Sequence, residues 1–335
     1  MTMSQREACR RVFAEDARSG VSSIGEMALI RRIREWLGAA NPEPPEGIGD
    51  DCAVWVPSQS EGWEMVTVDG VCYGRHFDDS VSAWDVGRKL LARNISDIAA
   101  MGGKPRRGVV ALWLSNRTDL EWLEAFYCGI RDCALKFGIR IVGGDVAQAP
   151  DGVFLADLTL IGTCGLPPVR RGNAHEGDTI WVTGTLGGSL LGKHFRFEPR
   201  VMEGAWLAAH PGVKAMMDIS GGLAKDVIPL VGGRPVEMDA SSIPISPDAL
   251  KFAAQSGREP LYHALSDGED YELAFVLSRD IDLQRFRSEW NAFFEIPLSC
   301  IGRVISDDLT RDGESPIRLA DGNPWVYGSG YEHLG

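Results

Sequence analysis

Apolar positions recur along this chain at two spacings, and each change of spacing marks a new element. In IGEMALIRRIREWLG, Met27, Ile30, Ile33 and Leu37 fall every three or four residues, which predicts a helix that Gly38 stops. After a Pro- and Gly-rich turn, IGDDCAVWVP and EMVTVDGVCYG have the density and length of strands. Ser82 to Met101 reads as a helix carrying Val86, Leu90 and Leu91, ended by Gly102, Gly103 and Pro105. RGVVALWLS predicts a strand, and Asp119 to Phe137 a helix with Leu123, Phe126, Ile130, Ala134 and Phe137 at helical spacing. IRIVGGDVA predicts a strand followed by a sharp glycine turn, and VFLADLTLIGTCG another strand.

The apolar signal then breaks at LPPVRRGNAHEGD, and the pattern resumes with strands TIWVTG, VKAMMDIS and YELAFVL, a short helix GLAKDVIPL and a terminal aromatic segment. The expected fold class is α+β: two mixed α/β domains over 1–166 and 167–335. A length of 335 residues with 44% apolar composition allows two ordinary cores.

Charge narrows the function. With 47 acidic against 34 basic residues, the net charge of −13 disfavours a long nucleic-acid footprint, although bound divalent cations can still recruit anionic ligands locally. The start of the chain carries no apolar run of signal-peptide length, and no stretch reaches the roughly 20 apolar residues of a membrane helix. Seven dispersed cysteines without a CxxC unit fit reduced thiols, so the expectation is a cytoplasmic protein with no membrane partner. The histidines show no HExxH pattern, which argues against zinc hydrolysis, and no specific Ser-His-Asp relay stands out.

The chemistry-bearing feature is a series of aspartates. Asp50 and Asp51 follow Gly49 at the mouth of an apolar run, Asp69 comes late in MVTVDG, and Asp145 follows IRIVGG. An apolar strand delivering an acid beside glycine is a way to present hard oxygen ligands to magnesium. Asp97 lies in the apolar helix, where an unpaired carboxylate is costly and a metal or a local hydrogen-bond network would compensate it. Four such stations suggest a polyphosphate held through magnesium, the charge-neutralising arrangement that phosphoryl transfer requires.

Other groups carry weaker signals. Gly187, Gly192 and Lys193 follow the opening spacing of a P-loop, but His194 stands where a Ser or Thr should contact magnesium, so the glycines read as turns or caps. His76, soon after Asp69, can approach the acids or a phosphate, or be structural. Arg171 at the domain junction can bind phosphate or form a salt bridge. SDGEDYELAF concentrates Asp267, Glu269, Asp270 and Glu272 before a strand, and Trp325, Tyr327 and Tyr331 can cover a flat heterocycle or close a core.

Taken in order, GIGDDCAVW, VDGVCYGRHF, GRKLLARNISDIAAMGGKP, IVGGDVA, RRGNAHEGDTIWVTG, SDGEDYELAF and GYEHLG resemble the thiamine-monophosphate kinase family, within the aminoimidazole-ribonucleotide-synthetase-like superfamily. The resemblance covers nearly the whole chain from about Gly25 and implies a fold of that type. It implies ATP-dependent phosphorylation of thiamine monophosphate to thiamine diphosphate, and a homodimer built through the N-terminal domains. Under it, Asp50, Asp51, Asp69, Asp97 and Asp145 are expected magnesium ligands. Asp50, Asp69, Asn94, Asp97, Gly144, Asp145 and Arg171 are expected at ATP. Asp50, Asp51, Asp145 and Arg171 are the expected catalytic group, and His76, Asp270 and Tyr331 face the substrate. Potassium is a candidate further cation.

One departure bears on catalysis. The family usually reads DISDGL where this chain has DISGGL, so Gly221 replaces an expected magnesium-ligating aspartate, and neither Asp218 nor Asp226 automatically fills its place. The ending is milder: Leu334 stands where phenylalanine is common. Two alternatives follow: another ATP-dependent enzyme of the superfamily, or a nucleotide-binding relative impaired in turnover.

Overall fold

The structure is a computed structural model that describes residues 11–24, 26–43, 62–306 and 315–321. The chain forms two compact units dividing between Gly165 and Leu166, with Ala99–Gly103 belonging to the second.

The first unit contains helices α1 (Glu26–Leu37), α2 (Ala83–Ala100) and α3 (Leu120–Phe137) and strands β1 (Trp63–Cys72), β2 (Lys104–Ser115), β3 (Arg140–Ala149) and β4 (Phe154–Cys164). The strands form one sheet in the order β1-β4-β2-β3, antiparallel except for β2 with β3. Alternation along the strands separates two faces. One is buried, with Val110, Leu112, Leu158 and Leu160 nearly inaccessible, and the unit's core includes a ring cluster of Phe77, Trp122, Phe126 and Phe154. The other leaves Val66, Val68, Val109 and Trp113 exposed. Sequence chemistry fixes the ends of α3: the Asp119 carboxylate accepts from the Trp122 N–H at 2.8 Å, and Gly138 closes the helix at φ 67°.

The expected glycine turn after Val142 does not form. β3 continues through Gly143 and Gly144 with Val142 as an extra, bulged residue opposite Gly108 and Val109 of β2. A β-carbon on Gly144 would come within 2.0 Å of the Val110 carbonyl oxygen, so glycine serves close strand approach at this position.

The second unit holds β5 (Thr179–Thr183), α4 (Lys193–Arg196), α5 (Val201–Ala209), β6 (Val213–Asp218), α6 (Leu223–Leu230), β7 (Val236–Met238), α7 (Pro247–Ser256), α8 (Pro260–Ser266), β8 (Leu273–Leu277), α9 (Leu283–Asn291), β9 (Leu298–Val304) and β10 (Ile317–Leu319). Its sheet order is β10-β7-β9-β5-β8-β6, and both faces are covered. Ile180, Val182, Met217, Ala274 and Val276 pack with residues of α6 and α8 on one side. Trp181, Met216, Phe275 and Leu277 pack with Leu207, Phe286 and Trp290 on the other. β5 and β6 both run antiparallel to β8, so the C-terminal ends of β5 and β6 meet the N-terminal end of β8 along one edge. The loop entering β8 there carries the buried Asp270 and Glu272. Among the described residues no helix is long and apolar enough to cross a membrane.

Candidate functional site

In the first unit, β1 and α2 bring together residues far apart in sequence. Thr67 and Asp69 lie on the buried-face side of β1, opposite Leu160 and Leu158 of β4. The Thr67 hydroxyl donates to Asp97 Oδ2 at 2.5 Å, and Arg93 Nε lies 2.9 Å from Asp69 Oδ2. Arg93 also donates to the Gly70 carbonyl. One turn of α2 thus anchors the middle of β1 through Arg93 and Asp97. Asn94 on the same turn donates to the Leu90 and Asp69 carbonyls at 2.8 and 3.3 Å. Its buried Oδ1 has no hydrogen-bond partner among the described residues. Asp69 and Asp97 remain half-buried, with oxygens at the margin of the core. His76 sits just past β1, where its Nδ1 accepts from the Cys72 N–H at 3.0 Å and helps close that turn.

Asp145 stands elsewhere in this unit. It is exposed in the middle of β3 and pairs with Ala111, which shares the open face with Val109 and Trp113. It therefore occupies the far edge strand and the opposite face from Asp69 and Asp97. Gly144, beside it, allows the backbone contact with Val110. Among the described residues no three His, Cys, Asp or Glu side chains assemble as a cation site. Asp50, Asp51 and Tyr331 lie outside the described residues, as do Trp325, Tyr327 and the chain ending.

The second unit gathers acids differently. The loop 267–272 is knitted to both neighbouring loops. Gly187 and Gly188 donate their N–H groups to Asp270 Oδ1 and Asp267 Oδ2 at 2.8 and 2.9 Å. The Glu269 and Tyr271 N–H groups donate to the Ser220 and Ile219 carbonyls at 2.8 and 2.9 Å. Glu269 and Tyr271 adopt left-handed backbone, φ 53° and 52°, a strained conformation that this network holds in place. Beneath it, Arg200 grips Glu272 with two 2.8 Å contacts, while Lys193 reaches the same carboxylate at 3.2 Å and Thr183 donates to it at 2.8 Å. The P-loop spacing has a structural explanation: Lys193 also donates to the Thr185 carbonyl. A β-carbon on Gly187 or Gly188 would strike the backbone of α8 or α7 at 2.5 or 2.3 Å.

Burial sets the electrostatics here. It pushes the Asp270 carboxyl up to about 7, against the pull of Lys193 and the Gly187 N–H. Asp270 Oδ2 has no hydrogen-bond partner among the described residues. Burial alone would also raise Glu272, but the Arg200 hydrogen bonds, with Lys193 and Thr183, bring it below the usual range. Asp226, at the start of α6, rises to about 6 through burial even though Gly221 and Ser220 donate N–H groups to its Oδ2 at 2.9 and 3.0 Å and Lys225 and Arg171 pull it down. Its other oxygen lies 3.0 Å from where a β-carbon at residue 221 would stand, and Lys225 Cδ lies 3.1 Å from it. Asp226 and Lys225 thus fill the space at which the Gly221 side chain would begin. Arg171 is exposed and lines a cavity of ≈ 560 Å³ with Arg170, Asn173, His210 and Lys214.

The sequence reading singled out Asp69, Asn94 and Asp97, which the fold gathers on β1 and α2, but it missed the positioning groups Thr67 and Arg93. Also missed were the Arg200–Glu272 pair and the hydrogen bonds of Asp226 and Asp267. Of these, only the spacing of Asp226 after the glycine pair gave a local signal, that of an acid in the first turn of a helix.

A sheet unit with an acidic β1–α2 corner, followed by a second unit of glycine-rich loops, belongs to a known class. Residues 49–164 match the AIR synthase related protein, N-terminal domain. The chain is 37% identical over 273 residues to the thiamine-monophosphate kinase of Rhodopirellula baltica, spanning 79% of this chain and 84% of that protein. The crystal structure of thiamine-monophosphate kinase from Stenotrophomonas maltophilia K279a aligns with a TM-score of 0.71 at 30% identity, covering 90% of this chain and 98% of that one. The structure of AaThiL complexed with AMPPCP and TMP aligns with a TM-score of 0.69 at 27% identity, covering 93% and 98%. The chain belongs to the thiamine-monophosphate kinase family.

Proposed function

We propose that this protein transfers the terminal phosphoryl group of ATP to the phosphate of thiamine monophosphate, giving thiamine diphosphate and ADP. The observation that carries the reading is 37% identity to a thiamine-monophosphate kinase across 79% of the chain. The donor atoms at the β1–α2 corner support it. They are carboxylate, hydroxyl and amide oxygens, the hard ligands that suit magnesium, and the buried Asn94 Oδ1 still has acceptor capacity there. In this reading Asp69 and Asp97, with Asp50 and Asp51, hold magnesium, Asp145 stands apart from Asp69 and Asp97 on the open face of the sheet, and potassium is a second candidate cation. Bound magnesium supplies charge neutralisation on the phosphoryl oxygens.

The chain's own residues orient the reactants. Arg171 offers a guanidinium to a nucleotide phosphate, Asn94 lies beside Asp69 and Gly144 beside Asp145, and His76 and Tyr331 are the proposed substrate contacts. Asp270, buried under the Gly187 amide, serves the substrate through the loop it holds. Gly221 does not end turnover in this reading, because the proposed ligands Asp69 and Asp97 belong to the first unit.

The open face of the first sheet supports a homodimer. Val66 and Val68 are 69% and 61% exposed and Trp113 is 45% exposed, on one contiguous face of a sheet whose other face is core. Paired Val68→Glu and Trp113→Glu changes should convert the dimer to monomer in light scattering. Unchanged mass would remove this face as the interface. The setting proposed is the cytoplasm.

The activity is tested by incubating purified protein with magnesium, potassium, ATP and thiamine monophosphate and separating the products. Equal yields of thiamine diphosphate and ADP, lost when either substrate is omitted, are expected. Folded, ATP-binding protein that makes no thiamine diphosphate would favour the impaired-relative reading.

A further inference from the structure

Three side chains outside the proposed kinase groups form a hydrogen-bonded relay. Ser256 ends α7, and His263 lies in the middle of α8, which follows after a three-residue turn. His263 Nε2 is 2.7 Å from Ser256 Oγ, and His263 Nδ1 is 2.8 Å from Asp267 Oδ1. His263 and Asp267 are buried, with side chains 3% and 6% exposed, whereas Ser256 is exposed.

The proton positions follow from the partners. Asp267 is fixed as an acceptor, since its Oδ2 takes the Gly188 N–H at 2.9 Å. A carboxylate at Nδ1 holds the ring proton of a neutral imidazole there, which leaves Nε2 as an acceptor facing the Ser256 hydroxyl. Ser256 Oγ accepts from the Arg258 N–H at 3.2 Å, a contact that orients the hydroxyl without using its proton. The ring is held by Phe252, with centroids 4.5 Å apart, and by Tyr262 at 5.7 Å. Nucleophile, base and orienting acid thus occur in the order and geometry that activate a serine, with the serine open to solvent.

We propose that Ser256 is an activated nucleophile and a site of covalent modification by activated acyl or phosphonyl donors. In the step, a bond forms from Ser256 Oγ to the electrophilic carbon or phosphorus, the donor's leaving group departs with its electron pair, and the hydroxyl proton passes to His263 Nε2. Ser256 stands at the C-terminal end of α7, where backbone carbonyls disfavour a developing oxyanion, and the Gly257 N–H is already donated to the Ala253 carbonyl. Attack therefore needs a donor with a good leaving group, and the adduct, whose own leaving group is the Ser256 alkoxide, is hydrolysed more slowly than it forms, so ester hydrolysis does not turn over.

The test uses a fluorophosphonate on the full chain, with the adduct located by peptide mass spectrometry and fluoride release followed in time. One adduct on Ser256 is expected, absent in Ser256→Ala, and formed on the order of 100-fold more slowly in His263→Gln. Asp267→Asn should slow it as well, and melting curves for each variant exclude simple unfolding. Ser256→Ala should keep wild-type thiamine-monophosphate phosphorylation. Labelling of other serines alone, or an equal rate in folded His263→Gln, would overturn the proposal.

Discussion

The two units use carboxylates in opposite ways. At the β1–α2 corner, Asp69 and Asp97 each have a near neighbour, Arg93 or Thr67, but stay half-exposed at the edge of the core. In the second unit, Asp267, Asp270 and Glu272 point inward and bond to backbone N–H groups, a histidine, a threonine, an arginine and a lysine, with Asp270 Oδ2 left over among the described residues. Desolvated acids bonded to their own loops are poor recruits for a hydrated cation, because the lost internal bonds must be replaced. The contrast separates acids that can meet magnesium from acids that set loop shape, although both sets stand out equally in the sequence.

Arg200→Met should give the largest effect. It strands Glu272, which is 2% exposed in its side chain, with only Lys193 and Thr183 as compensation, and should cost about 3 kcal/mol in chemical denaturation. A change below about 1 kcal/mol would mean that the second unit's acids are not structural in the sense argued. Asp97→Asn comes next. It keeps shape and removes a charge at the proposed cation site, so phosphorylation should fall by about 100-fold while the melting temperature stays close to wild type. An equal loss of stability would place Asp97 with the structural acids.

The pH dependence of Asp270 gives a subtler separation. Folding raises its carboxyl from 3.8 to about 7, so between those values the unfolded chain has released a proton that the folded chain retains. Its contribution to stability therefore falls as pH rises through that window. Asp270→Asn removes this titration, and its melting temperature should gain on wild type from about pH 4 to about pH 7. A constant difference would show that Asp270 is not held protonated. The smallest effect is expected for Gly221→Asp. The new side chain must displace Asp226 or Lys225 and should cost about 1 kcal/mol without magnesium, a loss that added magnesium reverses in thermal melts.

Much of this was legible in the sequence where the signal is local. Residues 120–137 form α3 because the apolar spacing, the Asp119 cap and Gly138 agree. IVGGDV misled because a glycine pair signals a turn equally well as a strand approached closely by its neighbour, and only pairing with Val110 distinguishes them. That continuation of β3 also put Asp145 on the open face, away from Asp69 and Asp97. Thr67 and Asp97 are 30 residues apart, so their contact belongs to the packing of α2 on the sheet. The relay was half visible: His263 and Asp267 have i,i+4 spacing, but Ser256 reaches the ring only through the turn between α7 and α8.

The central claim, that the first unit's acids hold the cation and the second unit's acids hold the loops, is tested most directly by calorimetry. Binding of a non-hydrolysable ATP analogue would be measured against magnesium concentration for wild type, Asp97→Asn and Asp270→Asn. The account predicts that Asp97→Asn loses most of the magnesium dependence while Asp270→Asn retains it. Loss of that dependence in Asp270→Asn, with Asp97→Asn unchanged, would contradict it.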